Sequence, residues 1–247
     1  MAEFNFHAPM QTKLFTLPNL LTLGNLLCGA SAVLAALYYD ALTAAFWLVV
    51  LAALFDFLDG FVARLLGQGG PLGVELDSLA DDITFGFAPA AVMFVLYGRS
   101  EGWWLSGMGW CGAVVFLYAA FAALRLAKFN VDDTQRTEFC GLPSPAAALF
   151  SVSLGLLAEQ GEVVLPRELI LLTALVLGAL MVSPLRMFAL KFHGFGWRGN
   201  ELRYSFLLAS IVLIGVLRLW AVPAVVALYV VLSVFRAACC RGRREEA

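Results

Sequence analysis

Residues 56–82 read DFLDGFVARLLGQGGPLGVELDSLADD, and their aspartates interrupt sequence that is otherwise largely apolar. Asp56 and Asp59 are three residues apart, while Asp77 and Asp81 are four residues apart. Each pair therefore lies on one face of a helix. The Gly-rich residues between the pairs predict a tight turn, which would place two helices antiparallel with the four carboxylates at similar depth.

The composition of the whole chain is that of a membrane protein. The 247 residues are 62% hydrophobic and 14% charged, whereas a soluble domain has about 45–50% apolar and about 25% charged residues. The net charge of −2 excludes a broadly basic nucleic-acid binder. Five cysteines without a C-x-x-C pair argue against a zinc site or a disulfide framework. We therefore expect a polytopic integral membrane protein that does not bind nucleic acid.

Apolar segments of spanning or nearly spanning length recur along the chain. They predict an all-α helical bundle of about eight transmembrane helices, of which the fifth and sixth are short. The predicted spans are 20–38, 42–66, 74–97, 108–128, 145–158, 169–185, 204–219 and 221–236. We expect the chain to consist of an N-terminal interfacial segment at 1–16, a six-helix core at 17–191, two additional helices at 192–237 and a basic tail at 238–247.

The basic residues predict the orientation of these spans. With the N-terminus in the cytoplasm, thirteen of the 16 Lys and Arg residues fall on the cytoplasmic side. Arg99, Arg167 and Arg218 fall on the other side. The positive-inside rule then places both termini, and the aspartates of residues 56–82, toward the cytoplasm.

The buried acids predict a metal site. Ionisable side chains inside a span are costly unless paired, and four converging carboxylates repel each other unless cations lie between them. Two divalent ions would balance four charges, and oxygen ligands without His or Cys favour Mg²⁺ or Mn²⁺. The alternative is an ion-pair network that only joins two helices. Such a network would match acids with bases one to one, but Arg64 is the single base beside four or five acids.

The pattern D-x-x-D-G-x-x-A-R, eight residues, G-x-x-x-D-x-x-x-D resembles the signature of the CDP-alcohol phosphatidyltransferases. The resemblance implies that Asp56, Asp59, Asp77 and Asp81 hold the metal ions and that Asp81 is also the base acting on the acceptor hydroxyl. A second segment, PNLLTLGNLLCG at 18–29, resembles the first-helix signature of the same family. The residues expected to contact the CDP moiety are Asn19, Thr22, Gly60, Ala63, Arg64 and Gly73.

The acceptor alcohol is suggested by two further segments, RLAKFN at 125–130 and GLPSPAAA at 141–148. Both resemble the branch of the family that uses serine, although Lys128 replaces an Arg and loses its planar fork. The resemblance implies CDP-diacylglycerol and L-serine as substrates, membrane lipid as surroundings and a homodimer as the assembly. Candidates for binding serine or a lipid phosphate are Arg125, Lys128, Asn130 and Arg186, with Asp82 a further candidate for the ammonium group.

Other interpretations stay open at this stage. Each of these cations could be a positive-inside anchor. A sibling enzyme would use glycerol phosphate or inositol phosphate as acceptor and should need extra cations for the second phosphate. A cation or proton transporter would also place acids inside spans, but it should show inverted repeats and acids near the bilayer midplane.

Overall fold

The computed structural model describes residues 14–131, 139–187 and 200–245. Five stretches are long and apolar enough to cross a membrane, and Ser144–Glu159 is a shorter apolar helix. The chain is thus a helical membrane protein, as expected, while the number of spans and the side of the termini stay predictions. The five stretches are Leu17–Leu37, Leu42–Leu66, Pro71–Arg99, Gly109–Val131 and Arg203–Arg236.

Nine α-helices are found in the described residues, and they follow the predicted apolar segments closely. The helices are α1 (Leu17–Leu37), α2 (Leu42–Leu66), α3 (Pro71–Asp81), α4 (Ala88–Arg99), α5 (Leu117–Val131), α6 (Ser144–Glu159), α7 (Arg167–Val182), α8 (Glu201–Leu217) and α9 (Ala221–Glu245). Short 3₁₀ turns precede α5 at Gly109–Phe116 and join α8 to α9 at Arg218–Trp220. Two-residue strands, β1 (Phe139–Cys140) and β2 (Arg186–Met187), pair antiparallel.

The turn between the two aspartate-bearing helices has the predicted form. α2 ends at Gly67, whose φ of 61° is left-handed and whose N–H donates to the Ala63 carbonyl. A residue with a side chain would be strained in that conformation. Pro71 then begins α3, where its missing N–H costs no helical hydrogen bond. This hairpin packs against α1, so three helices meet around the aspartates.

A π-helical segment, Asp82–Phe87, joins α3 to α4 into one long helix that begins at Pro71 and ends at Arg99. The apolar pattern predicts the span but not this change of helical type. The Thr84 hydroxyl donates to the Asn25 carbonyl of α1 at 3.2 Å. At Gly29 a Cβ atom would lie 2.2 Å from Thr84 Oγ1, so the glycine lets α1 approach the π segment closely.

The end of the bundle away from the aspartates is held by a polar network. Glu159, the last residue of α6, accepts from the backbone N–H groups of Leu42 and Thr43 at 2.9 and 2.6 Å. Arg99, at the end of α4, pairs with Asp40 at 2.7 Å and approaches Glu159 at 3.5 Å. The start of α2 is therefore fixed to the ends of α4 and α6.

The C-terminal helices form a hairpin whose boundary differs slightly from the predicted one. The predicted spans 204–219 and 221–236 leave only residue 220 between them, whereas the structure turns over Arg218–Trp220 and includes Pro223 in the first turn of α9. Proline is tolerated there because first-turn N–H groups have no intrahelical acceptor. α8 packs against α9, and α9 packs against α6 and β2. Residues 1–13, 132–138, 188–199 and 246–247 lie outside the description, and the predicted domain boundaries stay predictions.

Small residues in the third and fourth predicted spans pack within the chain. Ala88 and Ala90 have no exposed surface. A Cβ at Gly86 would lie 3.1 Å from the Ala122 Cβ, and one at Gly112 would lie 2.8 Å from the Tyr97 ring. These small residues, which would also allow close packing between two subunits, are thus in contact within one chain. The homodimer stays a prediction from the resemblance.

We predict that Gly29→Ala destabilises the bundle while Gly98→Ala does not. Both glycines lie inside helices, but nothing lies within 4 Å of a Cβ at Gly98. Overpacking a tight contact typically costs about 1–3 kcal/mol. Thermal unfolding in detergent should therefore show a lower Tm for the first variant. Equal Tm values for both variants would contradict the close contact at Gly29.

Candidate active site

Three of the four predicted metal-binding aspartates form a compact cluster. One carboxylate oxygen from each of Asp56, Asp59 and Asp77 lies within 4.8 Å of the others. Asp56 and Asp59 are on α2 and Asp77 is on α3, so the Gly-rich turn brings them together. Asp59 is only 6% exposed, and one Asp77 oxygen is buried without a hydrogen-bond partner.

The charges of this cluster are not balanced by bases. Among the described residues, no Lys or Arg lies within 4.0 Å of these three carboxylates. Arg64 influences Asp59 electrostatically without forming an ion pair. An ion-pair network that only joins helices would need such contacts. The oxygen-only donor set, its close spacing and its unpartnered oxygen instead fit a hard divalent cation.

Asp81 lies beside the cluster in a different environment. It interacts electrostatically with all three clustered aspartates. The Asn25 amide donates to Asp81 Oδ1 at 3.1 Å, and Asn25 itself is fully buried on α1. Thr84 in turn holds the Asn25 backbone. One Asp81 oxygen is thus fixed by a side chain that is not among the residues expected to contact CDP.

A cavity of about 140 Å³ opens next to the three-aspartate cluster. It is lined by five of the six residues predicted to contact CDP, namely Asn19, Thr22, Gly60, Ala63 and Gly73. The Thr22 hydroxyl donates to Asp59 Oδ2 at 2.6 Å, which connects the cavity wall to the acids. A Cβ at Gly73 would lie 3.5 Å from the Asn19 amide oxygen, so any larger side chain there would fill the space.

The sixth predicted residue, Arg64, does not line the cavity. Its side chain is exposed, and its Nη1 lies 3.3 Å from the position of a Cβ at Gly60. It therefore lies over Gly60 at the edge of the site. Gln68, Gly69 and Gly70 do line the cavity and were not predicted as contacts. Their position in the turn just before α3 could have identified them as contacts, because backbone N–H groups at the start of a helix bind phosphate.

The predicted acceptor residues divide into those near the acids and those away from them. Arg125 is partly buried on α5, interacts electrostatically with Asp81 and donates from Nη1 to Ser144 Oγ at 2.7 Å. Its Nε is buried without a hydrogen-bond partner. Asn130 is exposed and donates to Ser78 Oγ at 2.8 Å, next to Asp77 in sequence. Arg125 is therefore within electrostatic range of Asp81, the predicted base.

Three other candidates are placed less favourably or outside the description. The Lys128 side chain is exposed, as an anchor at the membrane surface would be. The Asp82 Oδ1 is buried against Gly86 without a hydrogen-bond partner. Arg186 lies in β2, and its side chain is outside the described part of the chain.

We predict that Asp77→Asn removes metal binding and turnover without unfolding the protein, whereas Asp82→Asn retains metal binding. Asp77 contributes an oxygen to the cluster, while Asp82 lies outside it. Loss of a residue that hydrogen-bonds a metal ligand costs roughly 10–100-fold in metal affinity, so loss of a ligand itself should cost more. Titration with Mn²⁺ monitored by electron paramagnetic resonance measures both variants. Normal Mn²⁺ affinity in Asp77→Asn would contradict ligation by that residue.

Comparisons with known proteins identify the family of the chain. Residues 15–185 match the family model described as CDP-alcohol phosphatidyltransferase. A CDP-diacylglycerol–serine O-phosphatidyltransferase of Helicobacter pylori is 37% identical over 177 residues, which cover 70% of this chain and 72% of the relative. The enzyme of the same name from Methanocaldococcus jannaschii is 34% identical over 174 residues, covering 70% of this chain and 74% of the relative. That from Bacillus subtilis is 34% identical over 140 residues, covering 56% and 74%. The chain therefore belongs to the CDP-alcohol phosphatidyltransferase family.

Proposed function

We propose that the protein is a CDP-diacylglycerol–serine O-phosphatidyltransferase. It transfers the phosphatidyl group of CDP-diacylglycerol to L-serine, giving phosphatidylserine and CMP. The observation that carries the reaction class is the cluster of Asp56, Asp59 and Asp77 beside a cavity lined by the residues of the family signature. Serine as acceptor is supported by the names of the relatives at 34–38% identity. Membership of a transferase family argues against the transporter alternative.

The clustered aspartates, with Asp81 beside them, are proposed to hold two Mg²⁺ or Mn²⁺ ions. Carboxylate oxygens are the ligands that these hard cations prefer. When bound, the ions would neutralise charge on the pyrophosphate and on the departing CMP. The cavity residues Asn19 and Thr22 would orient the nucleotide, and Gly60, Ala63 and Gly73 would leave room for it. Arg64, at the edge, offers a forked donor to a phosphate.

The transfer itself needs one proton acceptor. The serine hydroxyl oxygen forms a bond to the phosphorus that carries the diacylglycerol, and the bond from that phosphorus to the CMP oxygen breaks. The hydroxyl proton passes to the Asp81 carboxylate, which later releases it to water. Because Asn25 occupies Asp81 Oδ1, the second oxygen, Oδ2, is the one available to take the proton. A base held in this way loses little orientation before the reaction.

The acceptor is proposed to bind between α5 and the start of α6. Arg125 would pair with the serine carboxylate through its unpartnered Nε. Asn130 or Asp82 would accept from the ammonium group, and Lys128 and Arg186 would meet lipid phosphate. Glycerol phosphate or inositol phosphate would bring a second phosphate to the same place. The negative charge of that phosphate would be repelled by an acid such as Asp81. The smaller, zwitterionic serine avoids this repulsion and is therefore favoured as acceptor.

The setting of the enzyme follows from the sequence expectations. We propose an integral cell-membrane protein with eight spans, both termini in the cytoplasm and the active site facing the cytoplasm. CMP and serine are water-soluble, so an active site at a membrane–water boundary suits both. We also propose a homodimer, on the resemblance alone. Mass measurement in detergent at working concentration tests the assembly.

The substrate assignment is tested with purified protein, CDP-diacylglycerol and Mg²⁺ or Mn²⁺. We expect labelled serine to enter the lipid fraction with one CMP released for each phosphatidylserine formed. Glycerol 3-phosphate and inositol phosphate, supplied separately and in competition, should be poor acceptors. The Asp77→Asn variant serves as the inactive control. Faster CMP release with either phosphate acceptor would overturn serine as the substrate.

The role of Asp81 is tested against that of Asp56. We predict that Asp81→Asn loses about 10²–10⁴-fold in rate, the typical value of a positioned base, while CDP-diacylglycerol binding is largely kept. Asp56→Asn should weaken metal and nucleotide binding together with turnover. Calorimetry of CDP-diacylglycerol binding with metal, paired with serine incorporation, separates the two roles. Equally poor nucleotide binding in both variants would make Asp81 a ligand first.

A further inference from the structure

The connection from α4 to α5 carries three exposed tryptophans. They lie in residues 100–110, here named the tryptophan loop, and their exposed fractions are 74% for Trp103, 72% for Trp104 and 78% for Trp110. The rings of Trp103 and Trp104 lie edge-on, with centroids 6.0 Å apart. Glu101 is the only charged residue of the loop. Large apolar side chains that are exposed together in this way mark an interaction surface.

The tryptophan loop lies at the end of the bundle away from the aspartates. α4 ends at Arg99, which pairs with Asp40 in the link between α1 and α2. The apolar stretch Pro71–Arg99 leads into the loop, and the stretch Gly109–Val131 leads out of it. Because both stretches are long and apolar enough to cross a membrane and only residues 100–108 separate them, the loop stays close to the membrane surface.

Hydrogen bonds to the start of α7 hold the backbone of the tryptophan loop. The N–H groups of Trp104 and Leu105 both donate to Glu168 Oε1 at 2.9 Å. Arg167 donates from Nη1 to the Leu105 carbonyl at 3.2 Å and from Nε to the Tyr97 carbonyl of α4 at 3.3 Å. The Leu105 side chain packs against the buried core. The loop is thus fixed to α4 and α7 while its tryptophan rings stay exposed.

The chemistry of the exposed rings matches the head-group layer of a bilayer. An indole ring has a large apolar body and one N–H donor, and tryptophan and tyrosine are enriched where hydrocarbon meets water. Tyr38 and Tyr39, which precede Asp40 in the link between α1 and α2, are also exposed. The same end of the bundle therefore presents five aromatic side chains that combine apolar surface with a polar group.

We propose that the tryptophan loop anchors the protein in the head-group layer of the leaflet away from the active site. The partner of Trp103, Trp104 and Trp110 is the phospholipid bilayer itself rather than a second copy of the chain or another protein. Because the loop backbone is fixed to two helices, this anchor sets the depth of the whole bundle in the membrane. The inference does not depend on the proposed reaction, since it concerns the opposite end of the bundle.

The test measures the depth of a single tryptophan in phosphatidylcholine bilayers, with the full chain reconstituted. Of the six tryptophans, all except Trp103 are replaced by phenylalanine. Bromine atoms attached to a lipid chain quench tryptophan fluorescence on contact. We expect lipid brominated near the head group to remove most of the Trp103 emission, and lipid brominated near the chain end to remove much less. The matched control keeps Trp47 alone, an exposed ring inside the stretch Leu42–Leu66, and should show a deeper profile.

Two results with the Trp103 protein would overturn the inference. Strong quenching by iodide in the buffer, with none by either lipid, would show that the loop lies in water. Protection from iodide and from both lipids would show that protein covers the rings.

A second comparison decides if the single-tryptophan proteins do not fold. The triple variant Trp103→Phe, Trp104→Phe and Trp110→Phe is compared with the wild-type chain in the same bilayers. We expect it to lose much of the quenching by bromine near the head group and to keep the quenching by deep bromine, because Trp47 is retained. Head-group quenching as strong as in the wild type would contradict the anchor.

Discussion

The repulsion between carboxylates inside an apolar bundle is the constraint on which the rest of the structure depends. Oxygens of Asp56, Asp59 and Asp77 converge within 4.8 Å, and no basic side chain among the described residues pairs with them. Such an arrangement is unfavourable in a low dielectric unless a cation is shared. The left-handed turn at Gly67 and the contact of α1 with the hairpin keep the acids together despite this cost. The unbalanced charge of this cluster is the reason we propose a cation site there.

Much of this architecture could be predicted because it depends on local sequence. Helical spacing places Asp56 with Asp59 on one face, and a glycine turn returns the chain to Asp77. Apolar length likewise predicts the helices, and Asn19 and Gly73, which the resemblance singles out, line one cavity. These features are set by neighbours within a few turns of helix.

The features that sequence reasoning missed arise from contacts between distant parts of the chain. Asn25 reaches Asp81 because Thr84 and the close approach at Gly29 fix α1 against a π-helical segment, whose extra residue no periodicity reveals. Arg64 was expected in the cavity, but it is exposed at the edge because it lies one turn beyond Gly60. The packing of α9 against α6, two helices that are distant in sequence, is likewise set by tertiary contacts.

The polar contacts around the start of α2 have a mechanical consequence for the other end of that helix. Asp59 lies about 25 Å along the axis from Leu42, because each helical residue adds about 1.5 Å. A tilt of about two degrees at Leu42 would therefore displace the Asp59 carboxylate by about 1 Å. Coordination distances tolerate changes of only about 0.2 Å. Glu159 accepts hydrogen bonds from the N–H groups of Leu42 and Thr43 and thus restrains the tilt of α2 at its start. This restraint limits the displacement of the Asp59 carboxylate at the far end of the helix.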